Sequence, residues 1–242
     1  MLTPRQIERL QIALATCYAI PFIDDVEDFI FEAIFHFALD LPVPNQIDGE
    51  KTKRLFDAVD PATKRGWSLK TLKWAIEPSR ELELVIQRAD VFDKASALGF
   101  PGLHRDSPPA TIGAAVLEHW NRKIVEDSRF QDVGEARICI LLKSEDRRFF
   151  CLYEDLMHVY DRADINWEWT NTTKKGLRGI LRRDGFNIFR WYANQKQLFE
   201  RFVLPPKIDS FTIDRRQVPA ERVVALLATE LARLGSLPKS TA

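Results

Sequence analysis

The chain lacks most of the short patterns that announce a chemistry. Three cysteines, Cys17, Cys139 and Cys151, lie far apart in apolar segments, with no CxxC pair and no framework spacing. That excludes a disulfide scaffold and paired zinc spacing, and points to buried free thiols in a reducing compartment. The four histidines, His36, His104, His119 and His158, are scattered, which leaves a histidine-built metal centre without support. P-loop, GxGxxG, GxSxG and HExxH patterns are all absent. No signal peptide or long apolar run is visible, so a cytoplasmic protein with no membrane partner is expected. Charge of one sign is missing too: 35 Lys and Arg balance 35 Asp and Glu. A nucleic-acid partner therefore has to be argued from where the charges sit.

What is present is an ordinary globular composition, 45% hydrophobic and 29% charged, in 242 residues. Thr3-Pro4 reads as an N-cap and first helical position, opening a helix to about Tyr18. Asp24 or Asp25 is expected to cap a second helix to about Leu39, apolar almost all round and so buried on most sides. Residues 41–53 read as a loop. Leu55 to Asp60 and Trp67 to Trp74 read as two strands joined by a polar turn. Pro78-Ser79 introduces a predicted helix from about Arg80 to Leu98. Gly99 to Pro109 is a break, and a long helix from Ala110 to about Phe130 follows. Residues 135–143 and 148–153 form a strong hairpin pattern. Residues 157–171 look extended, with Trp167 and Trp169 in alternation, and Phe186 to Tyr192 is a returning strand after the Asp184-Gly185 turn. A helix from Pro219 to Leu234 precedes a Ser/Lys tail expected to be disordered.

The stretch with most chemistry is Leu55-Phe-Asp-Ala-Val-Asp60 followed by Ser68-Leu-Lys70. An acid ending one strand and a lysine on the face of the next converge beside a hairpin. That pairing serves phosphodiester hydrolysis: the carboxylate holds a hard divalent cation, and the lysine orients water and offsets phosphate charge. The plainer account is a strand-ending Asp at a turn and a solvated lysine. The pattern resembles the restriction-endonuclease-like nuclease superfamily, whose signature is an acid and then a (Glu/Ser)-x-Lys triplet on adjacent strands. Here Asp57, or Asp60, is matched with Ser68-Leu69-Lys70; Ser68 stands where a metal-binding Glu is usual, and no proline precedes the Asp.

The resemblance covers roughly residues 20 to 145. It implies an α/β (α+β) fold with a mixed central sheet flanked by helices, residues 1–150 forming the core and 151–242 a β-hairpin extension with a C-terminal helix. It also implies a Mg²⁺-dependent DNA endonuclease from a restriction or phage-defence setting. Catalytic residues would be Asp57, Ser68, Lys70 and Glu32. The metal would be held by Asp57, Glu32 and Glu83, with Asp60 as the alternative acid. Glu32 sits in the preceding greasy helix, where its plainer role is pairing with a nearby cation. Glu81 and Glu83 stand on the predicted helix as substitutes for the missing Glu. The competing function is a non-catalytic nucleic-acid-binding protein of the same fold, which Ser68 and the neutral net charge favour. A third reading is a protein-interaction domain using its aromatic hairpins.

A cationic segment supplies the expected DNA surface. Lys174, Lys175, Arg178, Arg182 and Arg183 fall within ten residues, and Asn194 and Gln195 follow the returning strand. Basic side chains for phosphates and amides for base edges suit double-stranded DNA, read by an arm protruding at Asp184-Gly185. The plainer account is a charged hairpin rim. Cutting both strands at a symmetric site implies a homodimer.

Overall fold

A computed structural model describes residues 2–42, 54–74 and 80–234. The expected loop at 43–53, the Pro78-Ser79 helix start and the tail beyond 234 lie outside the described residues. Helix α1 spans Pro4–Ala19. Thr3 and Gln6 close it with a capping box, and Pro4 takes the first turn. Helix α2 spans Asp28–Leu39 and starts at Glu27 with no side-chain cap. Neither Asp24 nor Asp25 caps it; Asp25 instead accepts a 2.9 Å bond from Lys143 Nζ. The helix also keeps one side open, with Phe29 and Phe37 exposed.

Strands β1 (Ala58–Asp60) and β2 (Arg65–Lys73) form the expected hairpin. Residues 81–88, predicted as helix, form strand β3 (Glu81–Arg88), and turns follow it to Gly99. The reason is a period of two: Leu82, Leu84 and Ile86 are buried while the residues between them are open or half-open. Glu81 and Glu83 are therefore strand residues.

Helix α3 (Pro109–Phe130) leads to β4 (Glu135–Lys143), which turns back as β5 (Phe149–Leu156). Strands β6 (Ile165–Trp169), β7 (Gly176–Leu181), β8 (Asn187–Tyr192), β9 (Gln197–Val203) and β10 (Asp209–Thr212) precede helix α4 (Ala220–Arg233).

The fold is mixed α/β with two five-stranded sheets. The first runs β1-β2-β4-β5-β10 and is mixed, because β2 and β4 pair in parallel while its other pairs are antiparallel. The second runs β3-β9-β8-β7-β6 and is antiparallel throughout. Each sheet takes strands from both sides of residue 150, which itself lies in β5. α1 and α2 cover one face of the mixed sheet with Leu10, Phe31 and Phe35 against Leu69, Cys139 and Leu141. The opposite face, carrying Ile138, Ile140 and Leu142, shares a larger core with α3 and the inner face of the second sheet.

One close approach sets the spacing of that core. A Cβ built on Gly113 of α3 would stand 2.1 Å from the indole of Trp167 on β6. Trp167 is buried and stacks on Phe189 at 6.1 Å, so its ring has no room to yield. Gly113→Ala gains helix propensity, worth about 1 kcal/mol, but its overpacking costs about 1–3 kcal/mol or more. The expected net effect is destabilisation, read as a lower urea midpoint at unchanged m; a midpoint equal to or above wild type would contradict this packing.

Candidate functional site

Past Trp67, opposite Ala58, the outer edge of β2 has outrun its short partner. Alternate backbone N–H groups on that edge are taken by carboxylates. Asp57 Oδ2 accepts from Leu69 N at 2.7 Å, and Asp28 Oδ1 accepts from Thr71 N and Thr71 Oγ1, both at 2.8 Å. Lys70 Nζ lies 3.9 Å from Asp57 Oδ2 and donates to Leu69 O at 2.8 Å. His36 Nε2 donates to Asp57 O at 3.0 Å. Asp28, Glu32 and His36 stand four residues apart, on one stripe of α2. Burial raises the Asp57 pKa above the ordinary carboxylate range; the Lys70 charge and the Leu69 N–H work against that rise, and Asp28 adds to it.

The structure therefore brings Asp57 and Lys70 together and sets Glu32 on the neighbouring helical stripe, where it is half-buried and engaged. The other expected metal ligands are elsewhere. Asp60 closes its own turn, accepting from Ala62 N at 2.9 Å and Thr63 Oγ1 at 2.7 Å. The Thr63 bond is the first cause of its lowered pKa. Glu83 lies in the second sheet between Arg190, at 3.2 Å, and Arg201, at 2.7 Å. Ser68 is 3% exposed and contributes only a neutral hydroxyl. A Mg²⁺ ion takes near-octahedral oxygen ligands. Asp57 and Asp28, each with an oxygen already bonded to a backbone N–H, beside a serine, do not fit that requirement. No three His, Cys, Asp or Glu groups converge on a metal position among the described residues.

The cationic segment is divided by its own hairpin. β7 is paired on both sides, by β6 and β8, so no arm protrudes beyond the 182–186 turn. Arg182 and Arg183 are exposed at that turn, and Arg183 pairs with Asp184 at 3.2 Å. Arg178 pairs across strands with Glu168. Lys174, Lys175, Asn194 and Gln195 occupy the opposite end, held by the Ala193 N to Lys175 O bond at 3.2 Å. The six residues of β8 separate the two ends by about 20 Å. Lys174 faces Asp106 at 3.3 Å, and Asn194 accepts from Arg105.

Sequence reading misses a second group of titratable residues, where β5 meets β8 and β9. Glu200 is 7% exposed and accepts from Tyr160 Oη at 2.8 Å; Tyr153 Oη donates to Asp155 at 2.7 Å. These residues, with His158 and Arg183, line a cavity of about 590 Å³. Burial pushes the Glu200 pKa up to about 7; the Tyr160 bond opposes the rise and Asp155 reinforces it. The available signal is Glu200 at an inward position between Leu198 and Phe202 in an alternating strand.

No protein-family model matches the chain, and neither the curated proteins nor the solved structures contain a match to it.

Two outcomes are expected. Asp57→Ala orphans the Leu69 N–H, and loss of that bond at a half-buried site costs about 1–3 kcal/mol; an unchanged urea midpoint would show that water replaces the carboxylate freely. For Glu200, the native state holds its proton to a higher pH than the unfolded chain does. Its contribution is thus fully present below the unfolded value of 4.5 and lost as pH rises through about 7. At 1.36 kcal/mol per unit the loss is about 3 kcal/mol, and Glu200→Gln should abolish that part of the pH dependence. A mutant whose stability falls across pH 5–7 as steeply as wild type assigns the titration to another group.

Proposed function

We propose that the protein binds double-stranded DNA without cutting it, on an α/β scaffold of restriction-endonuclease-like build. The observation that carries this is the gathering of Lys174, Lys175, Asn194 and Gln195 at one end of the second sheet, phosphate-binding cations beside amides able to read base edges. The scaffold reading is supported by an acid, Asp57, immediately before a short strand, and a Ser-x-Lys strand antiparallel to that strand. After α3 the chain returns in β4, parallel to the Ser-x-Lys strand. Cleavage is left out because Asp57 spends an oxygen on Leu69 N–H and Ser68 supplies no charge.

A second reading, a Mg²⁺-dependent endonuclease of the restriction or phage-defence kind, is favoured by one observation: the 3.9 Å approach of Lys70 to Asp57. In that reading Lys70 orients water at the phosphate and Asp57 is the first metal ligand. The metal would supply charge neutralisation at the phosphate. Homodimeric assembly belongs to both readings. α4 and its C-cap Leu234 leave Val224, Leu227, Leu231 and Leu234 exposed at spacings of three, four and three, the seam of a paired helix.

Incubation with plasmid and Mg²⁺, with and without EDTA, and a gel shift in Ca²⁺ separate the readings. A shifted duplex with intact plasmid is expected, and Mg²⁺-dependent nicking would transfer the function to the second reading. Joint replacement of Lys174 and Lys175 by Gln should weaken binding and lower the salt slope by roughly one unit for each phosphate no longer neutralised. Replacing Arg182 and Arg183 instead should change little. Failure of the wild type to shift any duplex would sink both readings, and a monomer mass by sedimentation would remove the dimer.

A further inference from the structure

Between the end of β3, the turns after it and the middle of α3 lies a groove of about 650 Å³. Its walls carry four cations, Arg88, Lys94, Arg122 and Lys123, against the carboxylates Asp90 and Glu126. Asp90 is bound by Lys196, Arg122 by Glu118 and Lys123 by Asp127. Arg88 and Lys94 form no ion pair among the described residues, so their charge is open to a ligand. A cationic wall of this kind attracts an anion.

Beneath the cations sits the buried imidazole of His119. His119 is 7% exposed, and its Nε2 lies 3.3 Å from Lys94 Nζ. An ammonium only donates, so Nε2 holds the lone pair and the imidazole proton sits on Nδ1. Nδ1 is buried and meets no acceptor. Burial, and then the Lys94 charge, push the His119 pKa down to about 4, so the ring is neutral at pH 7. Gln87, at the end of β3, also lines the groove. A bulge between Val85 and Gln87 shifts the register there and redirects the end of β3.

We propose that this groove binds the phosphoryl group of a nucleotide or nucleic-acid strand. Lys94 and Arg88 are its charge partners, and His119, whose Nε2 lies 3.3 Å from Lys94 Nζ, positions the lysine. A phosphoryl group answers the cationic wall, because it brings charge and several acceptor oxygens for the Lys94 and Arg88 N–H donors. The imidazole lone pair accepts from the Lys94 ammonium and adds no charge of its own to the groove. The groove stands apart from Asp57 and Lys70, and it adjoins the Lys174–Gln195 end through Lys196, which Asp90 and Asp93 hold. It rests on the nucleic-acid reading only for the source of the phosphate.

Calorimetric titration with inorganic phosphate, pyrophosphate, a deoxynucleoside monophosphate and a short DNA duplex tests it. At least one phosphoryl probe should bind, and Lys94→Gln and Arg88→Gln should each weaken that binding about ten-fold, the effect of losing one hydrogen bond to a charged group. Both side chains are exposed, so the variants should fold, as an unchanged melting temperature would show. Titrating pyrophosphate should also move the His119 Nδ1–H resonance. No binding of any probe at millimolar concentration overturns the proposal. Duplex binding that survives Lys94→Gln and Arg88→Gln unchanged overturns it too, while leaving the nucleic-acid reading standing. Pyrophosphate binding lost in Lys94→Gln, with no duplex binding at all, upholds the groove and removes that reading.

Discussion

The parallel ladder between β2 and β4 is the constraint on which the rest of the molecule depends. It runs unbroken from Arg65 opposite Glu135 to Lys73 opposite Lys143. Parallel strands cannot be joined by a tight turn, so the residues between them must leave the sheet and return. That excursion contains β3 and α3, and it carries the chain into the second sheet before β4 closes the ladder. Alternation then does the sorting. Leu69, Cys139 and Leu141 face α1 and α2, while Ile138, Ile140 and Leu142 face α3 and the second sheet. A slip of one residue would exchange the two sets and leave both cores mismatched.

The ladder also dictates what happens at its ends. β1 covers only the start of β2, so the remaining edge needs other partners for its N–H groups. Asp57 and Asp28 meet that need from a bend and a helix, which is why two acids gather at an edge. At the far end Lys143 is buried at 4% exposure, its ammonium held by Asp25 and by Val26 O at 2.6 Å. Burial alone would raise the Asp25 pKa, but the Lys143 bond and charge win and lower it. The residue that looks like a helix cap in the sequence is thus needed as a counter-ion, and α2 starts without one.

Local patterns are legible where one period dominates. The capping box at Thr3, the 135–156 hairpin and α3 follow from capping chemistry and spacing visible in the sequence. β3 reads wrongly as a helix because Val85, between buried Leu84 and Ile86, makes a three-residue apolar run that serves a helix as well as a strand. The approach of Lys70 to Asp57 is readable, since a hairpin brings such positions together. The purpose of Asp57 is not, because the Leu69 N–H it satisfies becomes an orphan only when β1 is known to be short. The cationic segment shows the same limit: ten residues that are neighbours in sequence divide between two ends of a sheet. The acids that match Arg178 and Lys174 come from other segments.

Burial has opposite consequences for the two titratable groups hidden in the larger core, and together they shape the surface field. Glu200 holds its proton to a higher pH than an ordinary carboxyl and His119 gives its proton up at a lower one than an ordinary imidazole, because in each case desolvation penalises the charged form. An ionised Glu200 would add a negative charge beside Asp155; below about pH 7 it adds none. A charged His119 would repel Lys94; neutral, it accepts a bond from Lys94 and leaves the ammonium charge unmatched. A chain with no net charge thus acquires a locally positive groove without any excess of basic residues. The polarity comes from which carboxylates are occupied elsewhere: Asp90 by Lys196, Glu118 by Arg122 and Arg162, and Glu83 by Arg190 and Arg201. Where acids are claimed by other cations, the cations left over define the field. In this groove those are Arg88 and Lys94.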